Sequence, residues 1–148
     1  MPNSWEIAHT SSILVAAPAD IAFGFMSDGL KQSRWALGSW DRKVYRDDIF
    51  VGTSLFNGND LYVKLVSDAK LGLVDYYCGE EPDDLRHLVE ARIIPGETIG
   101  FGAGRSAVIL TTWREANISD EEWDVTYHVW QTEIQLIKGH IEREYARR

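Results

Sequence analysis

The chain has 148 residues, 45% of them apolar, and a formal net charge of -8. That size and apolar content suit one globular domain, residues 1–148, able to bury a core and enclose a small ligand site. Acids and bases are interspersed, which argues against nucleic acid or an anionic membrane as partner, since both require grouped Lys and Arg.

One cysteine, Cys78, excludes an internal disulfide. The segment Met1-Pro2-Asn3-Ser4-Trp5-Glu6 has neither the basic region nor the apolar stretch of a secretory signal. No apolar run approaches the roughly 20 residues of a spanning helix, so a cytoplasmic location without membrane insertion is expected. A homo-oligomer is compatible with the sequence.

Trp5 to Ala17 alternates as a strand, and carrying the Ile13, Val15, Ala17 face backwards places Ser11 and His9 on it, with Ile7 and Trp5. His9 then points inward, unless the strand frays and leaves it at a wet rim. At Ala17-Pro18 the period changes. Pro18 presets φ for a first helical turn, Asp20 favours the helix N-terminus, and Ile21 and Phe25 share a face before Asp28-Gly29 stops the helix.

A second short helix is expected over Leu30 to Leu37, followed by six strands at about Ser39–Arg46, Ile49–Asn57, Asn59–Asp68, Gly72–Gly79, Leu85–Ile94 and Arg105–Arg114. Short polar breaks between them favour antiparallel neighbours. Asn57-Gly58 suggests a two-residue type I′ turn that sets Ser54 opposite Leu61 and Gly52 opposite Val63, with Lys64 and Tyr62 facing out. Gly100-x-Gly102-x-Gly104 precedes a strand rather than opening a helix, so it reads as a flexible connection and lid, not a phosphate loop.

Ser119-Asp120-Glu121-Glu122 is a capping box that starts a long final helix. Trp123, Tyr127, Trp130, Ile134, Ile137 and Ile141 draw an apolar stripe along it.

The order β-α-α-β6-α is an α+β arrangement: a seven-stranded curved antiparallel sheet wrapped around a long C-terminal helix. With Ile13-x-Val15-x-Ala17-Pro18-x-Asp20-Ile21, Phe25-x-x-Asp28 and the terminal helix, the chain resembles the SRPBCC superfamily, the START-like and polyketide cyclase/dehydrase group. The resemblance implies a helix-grip fold with an internal hydrophobic cavity. It implies binding of hydrophobic or aromatic small molecules and, in some members, cyclase, dehydratase or lyase steps without a cofactor. No catalytic residue transfers with it.

The polar candidates come from the residues themselves. In Leu85–Ile94 one face carries Arg86, Glu90 and Arg92, three charges too costly to bury, so the other face, with His87, should look inward. His87 is the first candidate for a general acid or base, with His9 second. Two registers of the preceding strand remain open. One sets Tyr77 and Asp75 beside His87 as a catalytic constellation; the other turns them to solvent and brings Val74, Tyr76 and Cys78 inside.

Trp35, Trp40, Trp113, Tyr127 and Trp130 are candidate substrate-binding walls, because aromatic faces stack on flat ligands. The four histidines show no zinc-ligand spacing, so no metal or other cofactor is expected. The function expected is a cofactor-independent cyclase, dehydratase or lyase acting by acid-base chemistry on an aromatic or polyketide-like molecule. The alternative is a carrier or sensor of a hydrophobic ligand.

Overall fold

Alternation governs the first strand. β1 (Ala8–Val15) buries His9, Ser11 and Val15 and exposes Ala8, Thr10 and Ser12. Residues 5–148 are described by the structure, a computed structural model; Met1 to Ser4, part of the segment read as lacking a signal, lie outside them. Trp5 and Ile7 are 88% and 67% exposed, because β1 begins only at Ala8 and the inward face does not extend back to them.

Pro18 is the N-cap of α1 (Ala19–Met26), and its carbonyl accepts hydrogen bonds from the Ile21 and Ala22 amides, each at 3.1 Å. That is one position earlier than the sequence implies. Ala22, Phe25 and Met26 are buried. The second helix contracts to a single 3-10 turn, Lys31–Arg34, begun by Asp28 Oδ1, which accepts from the Leu30 and Lys31 amides at 3.0 and 3.3 Å.

Six further strands follow: β2 (Trp40–Arg46), β3 (Ile49–Thr53), β4 (Asp60–Asp68), β5 (Leu73–Gly79), β6 (Arg86–Pro95) and β7 (Ser106–Trp113). α2 (Asp120–Ala146) comes last. The sheet order is β1-β7-β6-β5-β4-β3-β2, with every neighbouring pair antiparallel. Val74 and Tyr76 of β5, Ala91 and Ile93 of β6, and Val108 and Leu110 of β7 face the core.

The β3–β4 connection is longer than a two-residue turn. Ser54 N–H donates to the Asn59 carbonyl at 2.8 Å and Gly58 N–H to the Ser54 carbonyl at 2.9 Å, so Gly52 pairs with Leu61 and Phe50 with Val63. The register has moved by an even step, which preserves parity. Leu61, Val63 and Leu65 therefore still face the core.

Two strands break their alternation. β2 shifts register between Trp40 and Lys43, where Asp41 takes a positive φ of 55°, and β6 shifts against β5 so that Tyr76 pairs with Val89 but Tyr77 with His87. Leu88 is the extra residue of this second bulge.

α2 starts at the expected capping box: Glu122 N–H donates to Ser119 Oγ at 3.1 Å, and Ser119 N–H to Glu122 Oε2 at 3.2 Å. At 1.5 Å per residue its 27 residues span about 40 Å. Trp123, Ile134, Ile137 and Ile141 are buried as the stripe requires, whereas Tyr127 is 43% exposed and Glu133 lies buried among the apolar residues.

Gly52 marks a close approach within the sheet. A Cβ there would stand 2.6 Å from the Ser39 carbonyl carbon, and backbone cannot move aside as a side chain can. Gly52→Ala should cost about 2 kcal/mol through overpacking, read as a lower midpoint in urea. An unchanged midpoint would mean that β3 and Ser39 are not held this closely.

Candidate functional site

Between the sheet and the N-terminal half of α2 lies a cavity of about 470 Å³. Its wall is mainly apolar, with Val63 from β4, Val89 from β6 and Trp130 from α2, and Trp35 from the segment after the 3-10 turn. Phe56 and Val125, 57% and 49% exposed, are also among its lining residues, so the β3–β4 loop and the outer side of α2 frame its mouth. The Gly96 to Gly104 connection, expected as a lid, does not line it.

Two of the polar groups in this wall are ionisable side chains shut away from solvent, Glu133 and Arg42. Glu133 projects from α2 and is only 4% exposed, and its Oε2 accepts a hydrogen bond from the Leu37 amide at 2.8 Å. Burial pushes its pKa up to about 8, against the lesser opposing pulls of the Leu37 amide and the Arg42 charge. Its Oε1 has no hydrogen-bond partner among the described residues. Near neutral pH, Glu133 is therefore mostly a neutral carboxylic acid.

Arg42 reaches the same cavity because the bulge at Asp41 turns it away from the solvent side of β2. Its Nε donates to Ser39 O and Oγ at 3.2 and 3.1 Å, and Nη1 donates to Gln32 Oε1 and to the Gly29 carbonyl. Gln32 is itself fixed by donating to the Met26 carbonyl at 3.0 Å, which also receives Tyr76 OH at 2.6 Å. Burial lowers the Arg42 pKa to about 10, so it remains a cation. Nη2 is left without a hydrogen bond among the described residues.

Burial also raises the Cys78 thiol to about 11 and holds the Tyr76 phenol protonated, so neither is a nucleophile or base at neutral pH. Trp35 and Trp130 both line the cavity, and their indole N–H groups are shielded and find no acceptor among the described residues.

The structure brings His87, Asp75 and Tyr77 together, but on the outer face of the sheet. His87 Nε2 lies 2.9 Å from Asp75 Oδ1, and the imidazole stacks on Tyr77 with centroids 5.0 Å apart. The bulge at Leu88 reverses the parity of β6: Val89, Ala91 and Ile93 face inward as expected, while His87 does not. Val74 and Tyr76 occupy the inner face of β5, and Cys78 reaches the cavity. Asp75, Tyr77 and His87 therefore cannot act on a molecule bound there.

Trp113 also belongs to the outer face, edge-on to His87 at 4.8 Å and donating Nε1–H to the His87 carbonyl at 2.8 Å. Trp40 lies outside the lining, with the Arg34 guanidinium 5.5 Å above its ring. His9 does point inward, but α2 covers it: it stacks on Trp123 at 3.6 Å, and Nε2–H donates to the Trp123 carbonyl at 2.9 Å. Tyr127 packs edge-on to His9 at 5.5 Å, in a separate surface cleft. Of the proposed walls, Trp35 and Trp130 line the cavity.

Glu133 and Arg42 escaped the sequence reading. Glu133 carries a visible signal, since it sits beside Ile134 and one turn before Ile137 on the apolar side of the helix. Arg42 carries none, because its inward aim depends on a bulge.

No protein-family model matches the chain, and no curated protein matches it in sequence. Solved structures do match in fold. The Zhui aromatase/cyclase from Streptomyces sp. R1128 superposes with a TM-score of 0.69 at 17% identity, over 93% of this chain and 94% of that one. A START superfamily protein from Mycobacterium smegmatis gives 0.66 at 10% identity, over 93% and 99%. The Aha1 dimer from Colwellia psychrerythraea gives 0.64 at 13%, over 93% and 97%. At such identities the likeness establishes the fold, and the chemistry rests on the residues.

The Glu133 carboxyl links stability to pH. Its folded-state pKa is about 8 against an ordinary 4.5, so between those values the native state keeps a proton that the unfolded state releases. The contribution is most favourable below about pH 4.5 and is lost as pH rises towards 8. Glu133→Gln keeps an acceptor for Leu37 and does not titrate. Its stability should gain on the parent by on the order of 3 kcal/mol between pH 5 and 8, measured by urea unfolding. Parallel pH profiles would show that Glu133 is not held neutral.

Proposed function

The chain has the helix-grip fold of the SRPBCC superfamily, and on that premise we propose that it binds a flat, aromatic or polyketide-like small molecule in the α2 cavity and catalyses its cyclisation or dehydration. The observation that carries this reading is a pair of ionisable groups in one mainly apolar cavity, the neutral acid Glu133 and the cation Arg42. A passive container gains nothing from burying either group, and each costs free energy to desolvate. Their presence favours chemistry.

A carboxyl with a pKa of about 8 is close to optimal for moving protons near neutral pH. In its ionised form Glu133 removes a proton from a carbon between two carbonyls. The resulting carbanion attacks a more distant carbonyl of the same chain, forming the ring bond, and Glu133, now protonated, returns its proton to the new alkoxide. Ionised again, Glu133 takes the remaining proton from the same carbon and hands it to the departing hydroxyl, which leaves as water. Arg42 supports the negative charge on the enolate oxygen through its free Nη2. An oxygen of the substrate placed beside Trp35 or Trp130 would give their indole N–H groups the acceptor they lack.

His87, His9, Tyr77 and Asp75 have no part in this scheme, because none of them lines the cavity. The second reading, a carrier or sensor of a hydrophobic molecule, uses the same apolar wall and the same open mouth, and makes no use of proton transfer at Glu133.

A linear poly-β-keto thioester mimic separates the two. Glu133→Gln should lower the rate of its cyclisation by about 100-fold or more while leaving binding, followed by tryptophan quenching, within a few-fold. Binding of a hydroxylated naphthalene without turnover of any poly-β-keto chain would leave the carrier. Retention of full turnover by Glu133→Gln would remove Glu133 from the mechanism.

The wall makes a further demand. Val63→Trp fills the cavity from β4 and should abolish naphthalene binding, whereas His87→Ala, on the other face of the sheet, should leave it unchanged. Loss of binding in His87→Ala alone would place the site on the wrong side.

A further inference from the structure

On the face of the sheet that points away from the cavity, Asp75 of β5 and Glu90 of β6 are directly paired across the strands. Like charges in that position repel. Neither carboxylate forms an ion pair with a lysine or arginine among the described residues; the one basic group against them is His87. The bulge at Leu88 delivers that imidazole to the same spot, and one donor atom from each of Asp75, His87 and Glu90 lies within 4.8 Å of the other two.

The His87–Asp75 contact is short without being a hydrogen bond. Asp75 Oδ1 and His87 Nε2 are 2.9 Å apart and shielded from solvent, yet their relative orientation satisfies neither as donor or acceptor. Two ligands on one ion, each about 2.1 Å from it, stand about 3 Å apart in octahedral and about 3.4 Å apart in tetrahedral coordination. The spacing and the missing hydrogen bond fit two donors aimed at a common third point. Tyr77 stacked on one face of the imidazole and Trp113 against its edge hold the ring in place, as a ligand requires. The His87 and Asp75 side chains stay 32% and 22% exposed although these donor atoms are shielded, so the site lies just beneath the surface.

We propose that Asp75, His87 and Glu90 form a binding site for a divalent transition-metal ion on the outer face of the β5–β6 pair. One imidazole and two carboxylates suit zinc and its neighbours, and three protein ligands leave the remaining positions to water. Linear spacing could not reveal the site. Its ligands sit on two strands, and His87 joins the carboxylates only through the bulge. The site is independent of the cavity chemistry.

Protein stripped with chelator and titrated with cobalt(II) or zinc tests this. The unmodified chain should bind one equivalent, with a rise in melting temperature and a cobalt visible band. His87→Ala and Asp75→Asn should each weaken binding at least 100-fold, and Glu90→Gln about tenfold, whereas His128→Ala, whose imidazole lies near Asp124 in a separate cleft, should bind as the parent does. Circular dichroism of the apo variants checks that they fold. No stoichiometric binding by the parent, or binding that survives both His87→Ala and Asp75→Asn, overturns the proposal.

Discussion

Side chains along a strand alternate between two faces, and in this protein the placement of the polar groups on the sheet depends on where that alternation is kept and where it is broken. β4 and β7 keep it, and they supply Val63, Val108 and Leu110 to the core. β2 and β6 break it beside the groups of interest, at Asp41 and at Leu88. One break sends Arg42 into the cavity. The other sends His87 out of it, and inverts the chemistry available on the two faces of the sheet.

This explains which parts were legible in the sequence. Helix signals are local: the Pro18 junction and the Ser119–Glu122 box each act within a few residues, so both helices stand where they were expected. Strand existence and antiparallel order follow from patterning and short breaks. In β6 the charges of Glu90 and Arg92 turn Val89, Ala91 and Ile93 inward, but His87 leaves that face because Leu88 is inserted, and an apolar Leu88 gives no sign of the bulge in the sequence. The Asn57-Gly58 signal misjudged loop length but not parity, since Ser54 and Asn57 side chains cap amides within the loop and hold it open. An even shift does no harm; an odd one changes which molecule a residue can touch.

The inner polar groups form a chain of dependence rather than a set of separate contacts. The Met26 carbonyl at the end of α1 holds Gln32 and Tyr76, Gln32 and Ser39 hold Arg42, and the Leu37 amide holds Glu133. Most of these anchors lie in the irregular segment between α1 and β2, which thereby does more than connect elements. It fixes the position of both ionisable groups, while burial sets the direction in which each one's pKa moves. The buried acid also lowers native stability as pH rises, a cost that a site for chemistry commonly carries.

The pairing of β1 with β7 has a consequence for how the molecule comes into being. Ser12 lies opposite Ile109, so the first strand made on the ribosome has to wait for nearly the last before it finds its partner, and α2 follows later still. Until then the meander from β2 to β7 has an unprotected edge at β7 and an uncovered inner face rich in Val, Leu and Ile. Such long-range topology folds slowly and exposes sticky intermediates. During synthesis, the hydrophobic surface that later lines the cavity is the surface most in need of a chaperone.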